Sequence, residues 1–245
     1  TIANIESRNE DEVRKGNERV IVPRLTDAMF FWQKDQAQSL ENLIPSLDGI
    51  VFQNKLGTIG DKMRRVATLA AKIAKPIGGD AKPAKRAAQI AKCDLLSHLV
   101  GEFPELQGVI GRYLARHDGE PAEVADAISE HYLPRHSGDR LPQTITGQAL
   151  AIADKLDTIA GIFAIGQAPT GEKDPFALRR SALGVLRIMI EGHLDLDLKD
   201  LLETSAATFD KSLKTGDITS TVFEFMMERL RGYYEDTGVI TPQIF

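Results

Sequence analysis

Asp154 and Asp157 stand three residues apart, Asp94 and His98 four apart, and His117 directly precedes Asp118. These spacings could bring titratable groups together. Carboxylates sharing a helix face can do acid–base work, and a carboxylate four residues from an imidazole can hydrogen-bond it. Each pair also has a plainer reading. Asp154 and Asp157 fall opposite the stripe of Ile152, Leu156, Ile159 and Phe163, where a solvated face would lie. Asp94 and His98 have no evident nucleophile or metal beside them, so a simple hydrogen bond is expected. His117-Asp118 precedes Gly119 and reads as a helix end, with the imidazole near the negative end of the dipole.

The cations suggest phosphate contacts rather than catalysis. At about 100° per residue, Arg180 and Arg187 fall within about 20° of each other and could form a ridge for phosphates. Arg179 instead falls among Leu178, Ala182 and Leu186, so it is expected to be structural, with a carboxylate or carbonyl partner. Arg64, Arg65, Arg112 and Arg116 are further phosphate-binding candidates. Lys62 shares its sector with Val66, Leu69 and Ile73. There it must either find a partner or snorkel to water. Gly161, Gly166 and Gly171 match neither a P-loop nor a dinucleotide fingerprint.

The elements carrying these residues read as helices. The spacing predicts helices over 24–42, 61–74, 82–100, 106–116, 122–132, 145–164, 197–213 and 219–236. Pro76 and Gly78-Gly79 end the second of these. Asp174 as N-cap and Pro175 at the first helical position open another helix, which runs to about residue 191. Val20-Ile21-Val22-Pro23 reads as a short β-like run, and 134–142 as a loop.

Composition agrees with a helical globular chain. Of 245 residues, 42% are hydrophobic and only 6% aromatic. The net charge of −5 argues against a general nucleic-acid binder but leaves room for a local basic patch. The single cysteine, Cys93, excludes an internal disulfide framework and suits the cytoplasm. No apolar run approaches the roughly 20 residues that cross a bilayer, the longest, 183–190, being interrupted by Arg187. The chain opens on Thr1 without a signal peptide, and an internal piece of a longer protein is expected.

Six strings, in order, resemble the β subunit of the bacterial-type two-subunit glycyl-tRNA synthetases. They are GNERVIVPRLTDAMFFWQKD (16–35), FQNKLGTIGDKMRR (52–65), AKCDLL (91–96), GEFPELQGVIGRYLARHDGE (101–120), ADKLDTIAGIFAIGQAPTG (153–171) and KDPFALRRSALGVLRI (173–188). They cover most of the chain and are specific as a set. The resemblance implies a mainly α fold: an HD-domain-like helical bundle over 49–192, preceded at 1–48 by the end of an N-terminal domain and a linker. A helical extension over 193–245 would lead toward the next domain. It also implies a heterotetramer in which the α subunit carries the aminoacylation site, using ATP and Mg. The β subunit would supply recognition of glycine tRNA, with no cofactor or membrane contact in this segment.

The HD superfamily holds a metal with histidines and aspartates that activate water for phosphate-ester hydrolysis. The resemblance places Lys62, Cys93, Asp94 and Asp154 at those positions. A protonated lysine cannot ligate a metal, and thiolate suits softer metals. The expectation is a degenerate, metal-free site with no catalytic residue, in which the Lys62 ammonium either stands where the metal was, bridging to Asp94 or Asp154, or simply snorkels to water. The leading reading is therefore tRNA recognition and assembly, with Arg180 and Arg187 foremost. An HD-type phosphohydrolase and a helical adaptor that contacts only protein are the alternatives.

Overall fold

A computed structural model of the chain describes residues 9–171, 173–209, 213 and 218–236. The N-terminal helix α1 (Glu10–Asp35) is capped by Asn9, whose side chain accepts from the Glu12 amide. The run expected as β-like, 20–23, lies inside this helix, and Pro23 does not end it. Short-range β propensity loses here because no neighbouring strand completes a ladder. Most of α1 is exposed, but its last residue, Asp35, is buried. The Asp35 carboxylate accepts from the His98 and Leu99 amides at 2.8 and 3.0 Å, pinning α1 to the body.

A short helix α2 (Leu40–Leu43) and a 3₁₀ turn (Ile44–Gly49) lead to a small antiparallel hairpin of β1 (Val51–Gln53) and β2 (Gly57–Thr58). Helix α3 (Ile59–Ala74) follows at once. Thr58 and Asp61 form a reciprocal capping box at its start. Helix α4 (Ala81–Ile90) is capped by Asp80.

The continuous helix expected over 82–100 is broken. After α4 come a 3₁₀ turn (Cys93–Leu96) and the five-residue α5 (His98–Glu102), whose N-cap Ser97 accepts from the Val100 amide. The serine side chain competes for a backbone amide and starts a new helix instead of continuing the old one. A further 3₁₀ turn (Pro104–Leu106), α6 (Val109–His117) and α7 (Ala122–Glu130) follow.

Helix α8 (Ile145–Ala164) spans the residues its periodicity predicts. It packs on α3, α4 and α7, and on α9 (Leu178–Glu191), α10 (Leu198–Ala206) and α11 (Ile218–Asp236). Burial around most of its circumference explains why an aspartate on the supposed solvent side, Asp157, is 1% exposed. Helix α9 begins later than expected. Its N-cap is Ala177 in a left-handed conformation, while the Asp174 carboxylate accepts from the Leu178 and Arg179 amides from outside the helix. One hydrophobic core runs from Leu40 to Met226. No helix among the described residues is long and apolar enough to cross a membrane.

Candidate functional site

Lys62 lies in the first turns of α3, on the face that packs against α8. Its side chain is 4% exposed and its ammonium sits 3.0 Å from Asp154 Oδ1 and 3.3 Å from Asp157 Oδ2. It also donates to the Asp154 carbonyl oxygen at 2.9 Å and to Thr158 Oγ1 at 2.8 Å. Those two acceptors and Asp157 use all three ammonium protons. Asp154 Oδ1 therefore has the charge of Lys62 beside it but accepts no hydrogen bond. Asp157 is more fully satisfied, since Arg65 grips it with Nε to Oδ1 at 2.7 Å and Nη2 to Oδ2 at 3.2 Å. The Arg65 guanidinium also lies 4.5 Å from the centre of the Phe209 ring, tying the turn after residue 206 to the pair.

Two more lysines close on Asp154. Lys155 on α8 is buried and donates to the His131 and Leu133 carbonyl oxygens at 3.0 and 2.7 Å. Burial lowers its pKa to about 8, although the Asp154 carboxylate opposes the shift. Lys92 is buried with its ammonium 3.8 Å from the centre of the Tyr132 ring. Burial lowers its pKa too, against the pull of Asp154 and Asp94. Burial by itself would raise the Asp154 pKa. The charges of Lys62, Lys92 and Lys155 override it and hold the carboxyl well below its usual range.

His131 and Tyr132 complete the group. His131 is 1% exposed, its Nδ1 lies 2.6 Å from the Ile128 carbonyl oxygen, and its Nε2 has no partner. Burial, with Lys92 nearby, lowers its pKa well below the ordinary value and keeps the ring neutral. The Tyr132 hydroxyl is likewise buried without a partner, and burial raises its pKa so that it stays protonated. These residues open outward into a cleft of about 250 Å³ lined by His131, Tyr132, Arg135, Asp154, Lys155 and Arg180, among others.

The four positions singled out by resemblance do not converge. Lys62 and Asp154 meet. Asp94 instead accepts from the Gly108 and Gly111 amides at 2.6 and 3.2 Å, and burial raises its pKa. Cys93 Sγ points back to the Gln89 carbonyl oxygen at 3.9 Å. Among the described residues, neither pairs with Lys62. The expected Asp94–His98 contact is also absent, because the break at Ser97 separates them and His98 Nδ1 meets Asp35 Oδ1 at 2.8 Å. A metal does not fit this donor set. An ammonium already fills the place beside Asp154, and among the described residues no three His, Cys, Asp or Glu side chains gather. Lys92, Lys155, His131 and Arg135 were not singled out from sequence; a lysine directly after Asp154, on a largely apolar helix, was the available signal for Lys155.

The arginine candidates separate clearly. Arg187 does not join Arg180 on an exposed ridge. It is 8% exposed, its Nε donates to Glu191 at 2.6 Å, and Nη1 donates to the Asp139 carbonyl oxygen. α11 packs over this part of α9 and buries it. Arg65 is held by Asp157, Arg64 by Asp48 and Asp61, and Arg112 and Arg116 both by Asp126. Arg179 donates to the Gly171 carbonyl oxygen, matching its structural reading. Arg180 and Arg135 are exposed at the cleft and have no carboxylate partner among the described residues. His117 ends α6, and the adjoining Asp118 accepts from the Leu40 amide at 2.7 Å.

A family model described as glycyl-tRNA synthetase beta subunit matches residues 1–244. Over 239 residues the chain is 55% identical to the glycine–tRNA ligase beta subunit of Pseudomonas putida strain W619, covering 98% of this chain and 35% of that protein. The same-named proteins of Pseudomonas syringae pv. syringae and Chromohalobacter salexigens are 53% and 52% identical, with the same coverage. The chain thus spans about a third of the length of the curated relatives it matches.

Proposed function

This chain belongs to the glycyl-tRNA synthetase beta subunit family, and from that premise we propose that it is a tRNA-recognition and assembly segment of a glycine–tRNA ligase. It would support ATP-dependent charging of glycine tRNA by an α subunit, within a cytoplasmic heterotetramer. On this reading the helical bundle acts as an HD-like scaffold whose hydrolytic ligand positions are no longer used for chemistry. The observation that carries the RNA part is the pairing state of the arginines. Arg64, Arg65, Arg112, Arg116 and Arg187 are held by carboxylates. Arg180 and Arg135, exposed beside each other's cleft, keep their charge for an outside anion. The assembly part rests on α1, whose Val22, Leu25 and Met29 share one exposed face.

The test is binding of glycine tRNA to the complete β subunit across a salt series. Arg180→Gln should weaken binding and reduce the salt slope by about 1, and Arg135→Gln should do the same. Arg116→Gln, which removes an internally paired cation, should change little. Unchanged affinity and slope in both cleft variants would move RNA recognition elsewhere. A protein-only adaptor would show no salt-dependent tRNA binding at all.

A further inference from the structure

The cleft beside Asp154 has a donor and acceptor pattern more particular than a basic patch. Its lining holds three buried polar atoms without hydrogen-bond partners: His131 Nε2, the Tyr132 hydroxyl and Asp154 Oδ1, the last with the Lys62 ammonium beside it. Such atoms are costly when left unsatisfied, and each one calls for an account. The His131 Nδ1 contact with the Ile128 carbonyl places the ring proton on Nδ1. Nε2 is then a bare acceptor. The Tyr132 hydroxyl can donate. Lys155 gives two of its three protons to the His131 and Leu133 carbonyls, which leaves one. Arg135 and Arg180 stand at the mouth, exposed and without carboxylate partners among the described residues. Asp154 is the one carboxylate in the lining, and Lys62 already neutralises it.

Cationic donors around a single neutral acceptor suit an anion that also carries a proton to give away. At about 250 Å³ the cleft falls below the roughly 300–1,000 Å³ of sites for drug-sized ligands. We propose that this cleft binds a phosphate monoester group, as inorganic phosphate or on a small hydroxyl-bearing molecule, with the Tyr132 hydroxyl, Lys155, Arg135 and Arg180 donating to its oxygens and His131 Nε2 accepting from its P–OH or an adjacent hydroxyl. A phosphate monoester has a second ionisation near pH 6 and so carries a P–OH in mildly acidic solution. A phosphodiester, such as an RNA backbone, has no P–OH to offer. The site therefore goes beyond the RNA reading and stands or falls apart from it.

The test uses inorganic phosphate, which carries a P–OH throughout the mildly acidic range, titrated at about pH 6 against chloride at constant ionic strength. Calorimetry and amide NMR follow the whole chain. Saturable binding is expected, with the largest shifts at residues 131–135 and 177–181. Tyr132→Phe removes only an unpartnered hydroxyl, so the free protein should fold normally while phosphate affinity falls about tenfold; Arg180→Gln should lower it similarly. Dimethyl phosphate, a diester without a P–OH, should not bind measurably. Phosphate affinity no better than that of chloride, or unchanged affinity in Tyr132→Phe, would overturn the proposal. Equal binding of dimethyl phosphate would also overturn it, by marking the cleft as a diester site. The Tyr132 hydroxyl is buried beneath the cleft, so loss of phosphate binding in Tyr132→Phe with tRNA affinity intact separates this site from the arginine surface.

Discussion

Lys62 on α3 ends 3.0 Å from the Asp154 carboxylate on α8, bridging two helices that are distant in sequence. The ammonium sits in a face otherwise formed by Val66, Leu69 and Ile73, all at most 1% exposed. Removing one partner of a buried pair leaves the other charge uncompensated, at a cost of about 3–5 kcal/mol. Lys62→Met should therefore lower the stability of the chain by about 3 kcal/mol, read from chemical denaturation. Arg116→Gln, at the surface, should stay within about 0.5 kcal/mol of the parent. A Lys62→Met protein as stable as the parent would mean that the pair contributes nothing to the fold.

Asp157 gives a second, separable measurement. It accepts from both Arg65 and Lys62, with its side chain 1% exposed. Asp157→Asn keeps the shape but removes the charge both cations face. Arg65→Gln should lose much of its effect in an Asp157→Asn background. A double-mutant cycle is expected to return a coupling of about 1–3 kcal/mol. A coupling near zero would show that Arg65 is held by Phe209 and the Leu56 carbonyl alone.

Much of this arrangement is legible in the sequence, and the failures share a cause. Helix α8 could be placed from its apolar period, and Lys62 stood out because an ammonium falls in an apolar stripe. Pairing with Asp154 is one of three readings the sequence leaves open; snorkelling to water is overturned by a side chain only 4% exposed, and Asp94 turns instead to the amides at the start of α6. What periodicity could not supply was which sides of a helix are covered. Asp154 and Asp157 looked solvated because one apolar stripe suffices for a surface helix, whereas α8 is packed by helices all round. Arg187 looked exposed for the same reason, until α11 covered it. Lys92 and His131 reach Asp154 only through tertiary folding. No local pattern marks them.

Cys93 offers a chemical check on the packing. It is fully buried, and burial, with Asp94 and Glu41 nearby, pushes its thiol up to about 12. Only the thiolate is a good nucleophile. The folded chain should resist iodoacetamide at neutral pH and react promptly once denatured. Rapid labelling under native conditions, detected by mass, would show that the turn between α4 and α5 opens readily.

Lys155 ties stability to pH. Its pKa is lowered by burial from 10.5 to about 8 in the folded chain. Between those values the unfolded chain binds more protons than the folded one, so this residue makes stability rise with pH. Below pH 8 both states carry the proton and the contribution is flat. Cys93 works the other way, because its raised pKa makes stability fall with pH above its ordinary value of 9.0. The Lys155 contribution is therefore cleanest just above pH 8, before the thiol begins to titrate. In that interval the parent should gain stability with rising pH relative to Lys155→Met, which lacks the titrating group. Lysine side-chain NMR should show the Lys155 amine titrating near 8, identified as the signal that vanishes in the variant. Inorganic phosphate in the adjoining cleft should favour the charged amine and move the titration upward, because an anion beside Lys155 offsets the cost of its burial. A Lys155 amine that titrates with the ordinary surface lysines would show that water reaches it, and the pH dependence assigned to it would then be lost.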